Sequence, residues 1–222
     1  MRYFAESGGR ESKAKKIEAV LCDFLSEKKI EKKRILDLGC GSGHIAEYFS
    51  RANEVIAADV VDQITVEQRD AFTFKMLDKG LLPFEDDYLD IVILNHVFYC
   101  LADQAGQLNE IYRVLKKNGV CYFASANRYF PIEGFTRLPL IHYLPGFLFR
   151  ILYKKIRQTD DDLFPVGYHK MIDLVGKSGF AIQEYTTEII NHPAKYRSEY
   201  ASPFNLPVPG CISPTIVLML RK

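Results

Sequence analysis

At 222 residues, 48% apolar and 26% charged, the chain has the make-up of an ordinary globular protein, which excludes a disordered or fibrous one. That length accommodates one domain with a full core and a modest insertion. A formal net charge of +1 gives no global reason to expect nucleic acid as a partner.

The five cysteines, Cys22, Cys40, Cys100, Cys121 and Cys211, are odd in number and form no CxxC pair. This argues against a disulfide framework or a zinc site, and for free thiols in a reducing compartment. The first residues lack the apolar core of a signal peptide, and no apolar run approaches the ~20 residues of a membrane-spanning helix. A cytoplasmic location is the default expectation.

In chain order, apolar residues spaced by three and four predict a helix over 11–28, with Ser12 as its cap and Lys28-Lys29 suiting its C-terminal dipole. It should pack on the sheet edge. A strand is expected over Arg34–Leu38, a helix from Gly43 to Arg51, and a second strand over Glu54–Asp59. Residues 60–70 lack apolar periodicity and read as a loop or single turn. A third strand spans 72–77, and Leu81–Asp87 forms a turn. The fourth strand, Leu89–Asn95, is nearly continuous in apolar character, as a central parallel strand should be. A helix follows over Gln104–Lys116, and a fifth strand over Val120–Ser125.

The α/β period is lost between Arg128 and Pro165, where prolines and aromatics crowd together. It resumes with a helix near His169–Lys177 and a sixth strand over Phe180–Thr186. After a second irregular stretch, Asn191–Pro214, Thr215–Leu220 form a last strand. With no helix evident between strands six and seven, the seventh is expected to run antiparallel to its neighbours.

The centre of this pattern is Ile35-Leu36-Asp37-Leu38-Gly39-Cys40-Gly41-Ser42-Gly43-His44-Ile45-Ala46. A buried strand, a glycine turn and a helix start make the nucleotide-type cradle of a doubly wound sheet. Residues 41–46 satisfy the G-x-G-x-x-A dinucleotide fingerprint, with Asp59 at about the distance of a ribose-binding acid. The glycines begin one step earlier, however, beside Asp37. A carboxylate there repels a pyrophosphate and attracts a ligand carrying ammonium and sulfonium groups.

Four blocks in order carry a resemblance: ILDLGCGSG (35–43), VIAADV (55–60), LPFEDDYLDIVILNHVFY (82–99) and LNEIYRVLKKNGVCYF (108–123). Together the chain resembles a class I S-adenosylmethionine-dependent methyltransferase of the type-11 group. The resemblance implies an α/β fold, a doubly wound, seven-stranded, mostly parallel, Rossmann-like sheet with an antiparallel last strand. It implies a single domain over 1–222, with 128–165 as an aromatic-rich insertion serving as lid and substrate-recognition segment. S-adenosyl-L-methionine is the implied cofactor, and no metal is expected.

By this resemblance, Gly39, Cys40, Gly41 and Gly43 line the methionine and ribose part of the cofactor, and Asp37 orients the loop and helps hold the amino group. Asp59 accepts the ribose hydroxyls, Val60 touches the adenine face, and Asp78 receives the adenine amino group with Lys79 beside it. Asp70-Ala71 is the alternative for that acid. Asn95, His96 and Val97 face the methyl group and its acceptor. Where the family often has Glu-His, this chain has Tyr99-Cys100. Phe98 and Tyr99 read as core or pocket wall.

Methyl transfer needs nucleophile, methyl and sulfur held in line, and a hydroxyl acceptor also needs a base. His96, delivered by the fourth strand, is the first candidate, and His142 in the insertion is the second. His44, His169 and His192 read as structural or as lacking context. The insertion should choose the acceptor, a small molecule or a lipid- or glycan-linked group. Arg128 can pair with an anionic substrate group or with an acid of the fold. The 138–157 segment joins apolar residues to a basic end, as in a lid packed on the domain or a helix at a membrane surface. The rival functions are a non-catalytic cofactor-binding protein and an NAD-dependent dehydrogenase. The oligomeric state is open.

Overall fold

The computed structural model describes residues 7–78, 81–132, 136, 138–159, 162–198, 211 and 213–222, the side chains of residues 7–10 and of His142 excepted. Seven strands form one sheet: β1 (Arg34–Leu38), β2 (Glu54–Asp59), β3 (Thr73–Met76), β4 (Leu89–Asn95), β5 (Leu115–Ala126), β6 (Ala181–Glu184) and β7 (Thr215–Arg221). Their order is β3-β2-β1-β4-β5-β7-β6. The pairs β1·β2, β1·β4, β2·β3 and β4·β5 are parallel, and β7 runs antiparallel to both β5 and β6. The chain reverses direction across the sheet between β1 and β4. At such a switch point, ligands of doubly wound folds bind outside the carboxyl ends of the strands.

Alternating residues of the central strands feed two cores. Ile35, Ile91, Ile93, Val120, Tyr122 and Val217 face α1 (Ser7–Leu25), α2 (His44–Ser50) and α6 (Thr186–Asn191). Leu36, Val92, Leu94, Cys121, Phe123 and Leu218 face α3 (Gln104–Val114) and α5 (Tyr168–Lys177).

Several local expectations are corrected. The first helix starts at Ser7, so Ser12 lies inside it and caps nothing, and Lys28-Lys29 lie beyond its end. Its Ile17, Val20 and Leu21 are buried over the sheet face and not at an edge. Asp23 at its far end accepts hydrogen bonds from the hydroxyls of Tyr185 and Tyr196 at 3.1 and 2.8 Å. The far end of this helix is therefore tied to residues more than 160 positions away. Helix α3 ends at Val114, because Leu115 already pairs with Leu89 and extends β5 five residues upstream of the expected start. A short helix, α6, does fit between β6 and β7, although β7 is antiparallel as expected. The strand before it covers only Ala181–Glu184.

The 128–165 stretch is less irregular than its prolines suggest. It holds a one-turn 3-10 helix at Ile141–Tyr143 and a twelve-residue helix, α4 (Gly146–Arg157), begun immediately after Pro145. Proline tolerates a helix start but not an interior, so Pro139 and Pro145 each precede one of these elements and break neither. By contrast, 60–68 contains no helix, and a single 3-10 turn at Arg69–Ala71 leads into β3.

Candidate active site

The turn after β1 is shaped by backbone contacts to β2. The N–H groups of Gly39 and Cys40 donate to the Ala58 carbonyl at 2.7 and 3.1 Å. Gly39, Gly41 and Gly43 have φ of 75°, 50° and 84°, the left-handed region that favours glycine. At Gly39 the constraint is also steric: a Cβ there would lie 2.2 Å from Cγ2 of Val97. At Gly41 a Cβ would meet nothing within 4 Å, so this stretch of backbone faces open space.

Two carboxylates flank the loop. Asp59, at the end of β2, accepts from the N–H of Gly41 at 2.8 Å with one oxygen and from the N–H of Val60 at 2.7 Å with the other. It thereby ties the glycine turn to β2. Asp37 is 2% exposed, and one of its oxygens accepts from the backbone N–H of Ala46 in α2. The other, Oδ2, is buried with no hydrogen-bond partner. Burial pushes the Asp37 carboxyl up to about 7, and the neighbouring Asp59 charge adds to the rise. An orphaned buried carboxylate oxygen beside a glycine cradle suits a cationic ligand. It opposes a pyrophosphate, as the dehydrogenase reading would require. The residues thus fit S-adenosyl-L-methionine.

Val60 is exposed beyond Asp59. Asp78 lies just past the carboxyl end of β3, where Leu77 donates to the Asp59 carbonyl at 2.8 Å. Asp70 sits in the turn that enters β3, at the opposite end of that strand. The parallel pairing of β2 and β3 therefore sets Asp78, and not Asp70, on the edge shared with Asp59. Lys79 lies outside the described residues. Cys40 is buried, and burial followed by the Asp37 charge raises its thiol far above the usual range, which makes it a packing residue.

At the end of β4, Asn95 pairs across to Ala124, and the His96 N–H donates to the Ala124 carbonyl at 2.8 Å. His96 has φ of 60°, unusual for a non-glycine residue. Its ring keeps some exposed surface, yet burial, followed by the charges of Lys16 and Lys13 from α1, pushes it down to about 4. The ring is therefore neutral at physiological pH. His142 falls in the Ile141–Tyr143 turn, and its side chain lies outside those described.

The insertion is stitched over this edge. Tyr99 joins Ile141, Phe149, Tyr153 and Leu163 in a small satellite core. The Phe164 N–H donates to the Tyr99 carbonyl at 2.6 Å. Gln104, which is buried, donates to the carbonyls of Phe98 and Phe164 at 3.1 and 2.8 Å. The Arg128 N–H donates to the Val166 carbonyl at 3.2 Å, closing the neck of the insertion. Beside that neck is a cavity of about 360 Å³ lined by Arg128, Tyr129, Tyr143, Val166, Gly167 and Lys170 among others. A Cβ on Gly167 would come within 2.0 Å of the Tyr129 ring, so glycine is what lets that ring lie flat. A larger groove, about 820 Å³, runs between the outer sides of α1 and α2, away from the glycine turn.

Sequence reasoning missed Gln104, Val97 as the steric partner of Gly39, and the pairing of Gly167 with Tyr129. Glycine at 167, directly before a helix start, is the one local signal among these. The others are contacts between residues distant in sequence.

Residues 36–123 match a family of proteins described as a methyltransferase domain. The chain is 33% identical over 103 residues to the ubiquinone/menaquinone biosynthesis C-methyltransferase UbiE of Vibrio vulnificus. That match spans 39% of this chain and 38% of that protein, well under half of either. The mitochondrial arginine-hydroxylase NDUFAF5 of Danio rerio is 29% identical over 97 residues, covering 38% of this chain and 28% of that one. Among solved structures, an S-adenosylmethionine-dependent methyltransferase from Mesorhizobium loti superposes with a TM-score of 0.61 at 19% identity, over 87% of this chain and 92% of that one. At that identity the superposition speaks for the fold. Over 36–123 the chain is thus similar to a methyltransferase domain, in a fold shared with S-adenosylmethionine-dependent methyltransferases, and S-adenosyl-L-methionine is the cofactor that this likeness points to.

Proposed function

We propose that this protein transfers a methyl group from S-adenosyl-L-methionine to an apolar, lipid-linked small molecule seated under the insertion. The observation that carries the cofactor part is the partnerless buried oxygen of Asp37 beside a turn of three left-handed glycines. When bound, the cofactor supplies a methyl group activated by a sulfonium leaving group. Asp37 holds the ammonium end, and the Gly39–Gly43 backbone cradles the methionine and ribose portions. Asp59 keeps lone pairs for the ribose hydroxyls while it anchors Gly41, since a carboxylate offers about four acceptor positions. Val60 covers the adenine, and Asp78 receives its amino group.

Asn95, His96 and Val97 face the reacting methyl, and their work is to align the acceptor and exclude water. His96 is the candidate base. Being neutral at pH 7, it is free to take a proton from a hydroxyl or an activated carbon. The satellite core around Tyr99 and Tyr153 holds the insertion in place, and the exposed apolar side chains that the insertion carries favour an apolar acceptor over a glycan.

The test is thermal-shift titration followed by transfer of labelled methyl groups into a lipid extract. Stabilisation by S-adenosylhomocysteine, with label in the extract, is expected. Stabilisation by NAD alone would overturn the cofactor assignment. Cofactor binding without transfer to any acceptor would favour a non-catalytic binder. Replacement of His96 by Gln is expected to lower kcat while leaving the cofactor KM within about twofold.

A further inference from the structure

Ten of the fourteen exposed large apolar side chains among the described residues lie between Tyr129 and Ile156. On α4 they form two adjacent ridges, Phe147 with Ile151 and Leu148 with Leu152 and Ile156. The third ridge, Phe149 with Tyr153, is buried in the satellite core. Phe147 and Ile151 are each 59% exposed. Leu140 and Tyr143 extend the patch from the preceding turn. An apolar surface concentrated in this way marks an interaction site, since a solvated helix ordinarily turns such ridges inward.

The charge of the segment identifies the partner. Residues 138–157 contain Arg150, Lys154, Lys155 and Arg157 and no acidic residue, while the whole chain carries only +1. Asp162, beyond the helix, lies 3.1 Å from Lys154 and 3.9 Å from Arg150, and the segment remains net positive. A symmetric contact between two copies would bring like cations together across the apolar face. An anionic bilayer satisfies both features at once, with the ridges in the acyl boundary and the cations among the headgroups. At twelve residues, α4 is too short to span a bilayer and long enough to lie on its surface.

We infer that the exposed ridges of α4, with the turn before it, dock this protein on an anionic lipid surface. Docking by this face sets the insertion, which roofs the carboxyl edge of β4 and β5, directly against the bilayer. The inference deepens the lipid-linked reading of the acceptor and rests on it only for its purpose, since binding is measured without turnover.

The experiment is flotation of the full chain with phosphatidylcholine vesicles and with vesicles containing phosphatidylserine. The chain is expected to float with the anionic vesicles. The Phe147→Glu/Ile151→Glu variant should lose about tenfold or more of that binding, and Lys155→Glu a smaller share that added salt mimics. Both variants should keep their stabilisation by S-adenosylhomocysteine, which shows that they are folded. Three results would overturn the inference: no flotation with either vesicle, unchanged flotation of the double variant, or a particle of twice the chain mass that the double variant reduces to one. Loss of S-adenosylhomocysteine binding in the parent chain would count against the proposed function and leave the docking result standing.

Discussion

The glycine turn and the insertion hold their shapes by different means. The turn is fixed by backbone: N–H groups of Gly39, Cys40 and Gly41 bonded to β2, and left-handed dihedrals at alternate positions. The insertion is fixed by side chains, through the Tyr99 cluster and Gln104, and it leaves much of its apolar surface in water. A cofactor of fixed shape suits a site made of backbone. An acceptor that differs from one relative to another suits a wall made of exchangeable side chains.

That contrast can be broken most sharply at Gly39. Gly39→Ala places a Cβ into Val97 at a left-handed position and should cost about 2–4 kcal/mol, with loss of cofactor binding. Adding Val97→Ala should recover part of the stability, because the two positions are in contact, and thermal melts of the single and double variants measure that coupling.

Asp37 comes next. Its folded pKa near 7 lies above the unfolded value of 3.8, so the folded state holds the extra proton between them. Its favourable contribution is fully present below the unfolded value and is lost as pH rises through about 7. Asp37→Asn should therefore raise the melting temperature at pH 8 relative to the parent chain and not at pH 4, while abolishing cofactor binding. In the parent chain, a cationic ligand favours the ionised carboxylate, so calorimetry should show affinity falling by up to about tenfold per pH unit below 7. An affinity flat from pH 5.5 to 8 would remove Asp37 from the site.

Asp59→Ala frees the N–H groups of Gly41 and Val60 and should weaken S-adenosylhomocysteine binding by about tenfold or more, read by titration. The smallest effect is expected at the other region. Gln104→Ala removes the donor of the Phe164 carbonyl and leaves the Phe98 carbonyl only the Leu101 N–H, costs about 1–2 kcal/mol, and should speed hydrogen exchange in 138–165 without changing cofactor affinity.

The same contrast explains what could be read in advance. Ile35 to Gly43 was legible because each feature is local: a β-branched run, then glycines where φ must be positive. The boundaries of β1, β2 and β4 followed for the same reason. The end of α3 was not legible, since Leu115 is a good helix residue drawn into β5 by Leu89, which is 26 positions away. Helix α4 was open only as one alternative for 138–157, because its exposed ridges spoil the one-sided pattern by which a helix in a globular core is recognised. In the site, Asp37 and Asp59 stood out by their places at strand ends. Gln104 did not, because nothing local distinguishes a buried glutamine that answers two carbonyls from an exposed one.

The bond from Arg128 to Val166 has a consequence for how such proteins diversify. Between those residues the chain departs and returns across this hydrogen bond, with Tyr99 and Gln104 as further anchors, so the sheet meets the excursion as a loop closed at its neck. The entropy of closing such a loop rises only slowly with its length. A shorter, longer or wholly different excursion can be exchanged at that neck while the strands on either side stay in register. The neck is therefore a splice point at which selection can change the wall beside the site, without disturbing the glycine turn after β1.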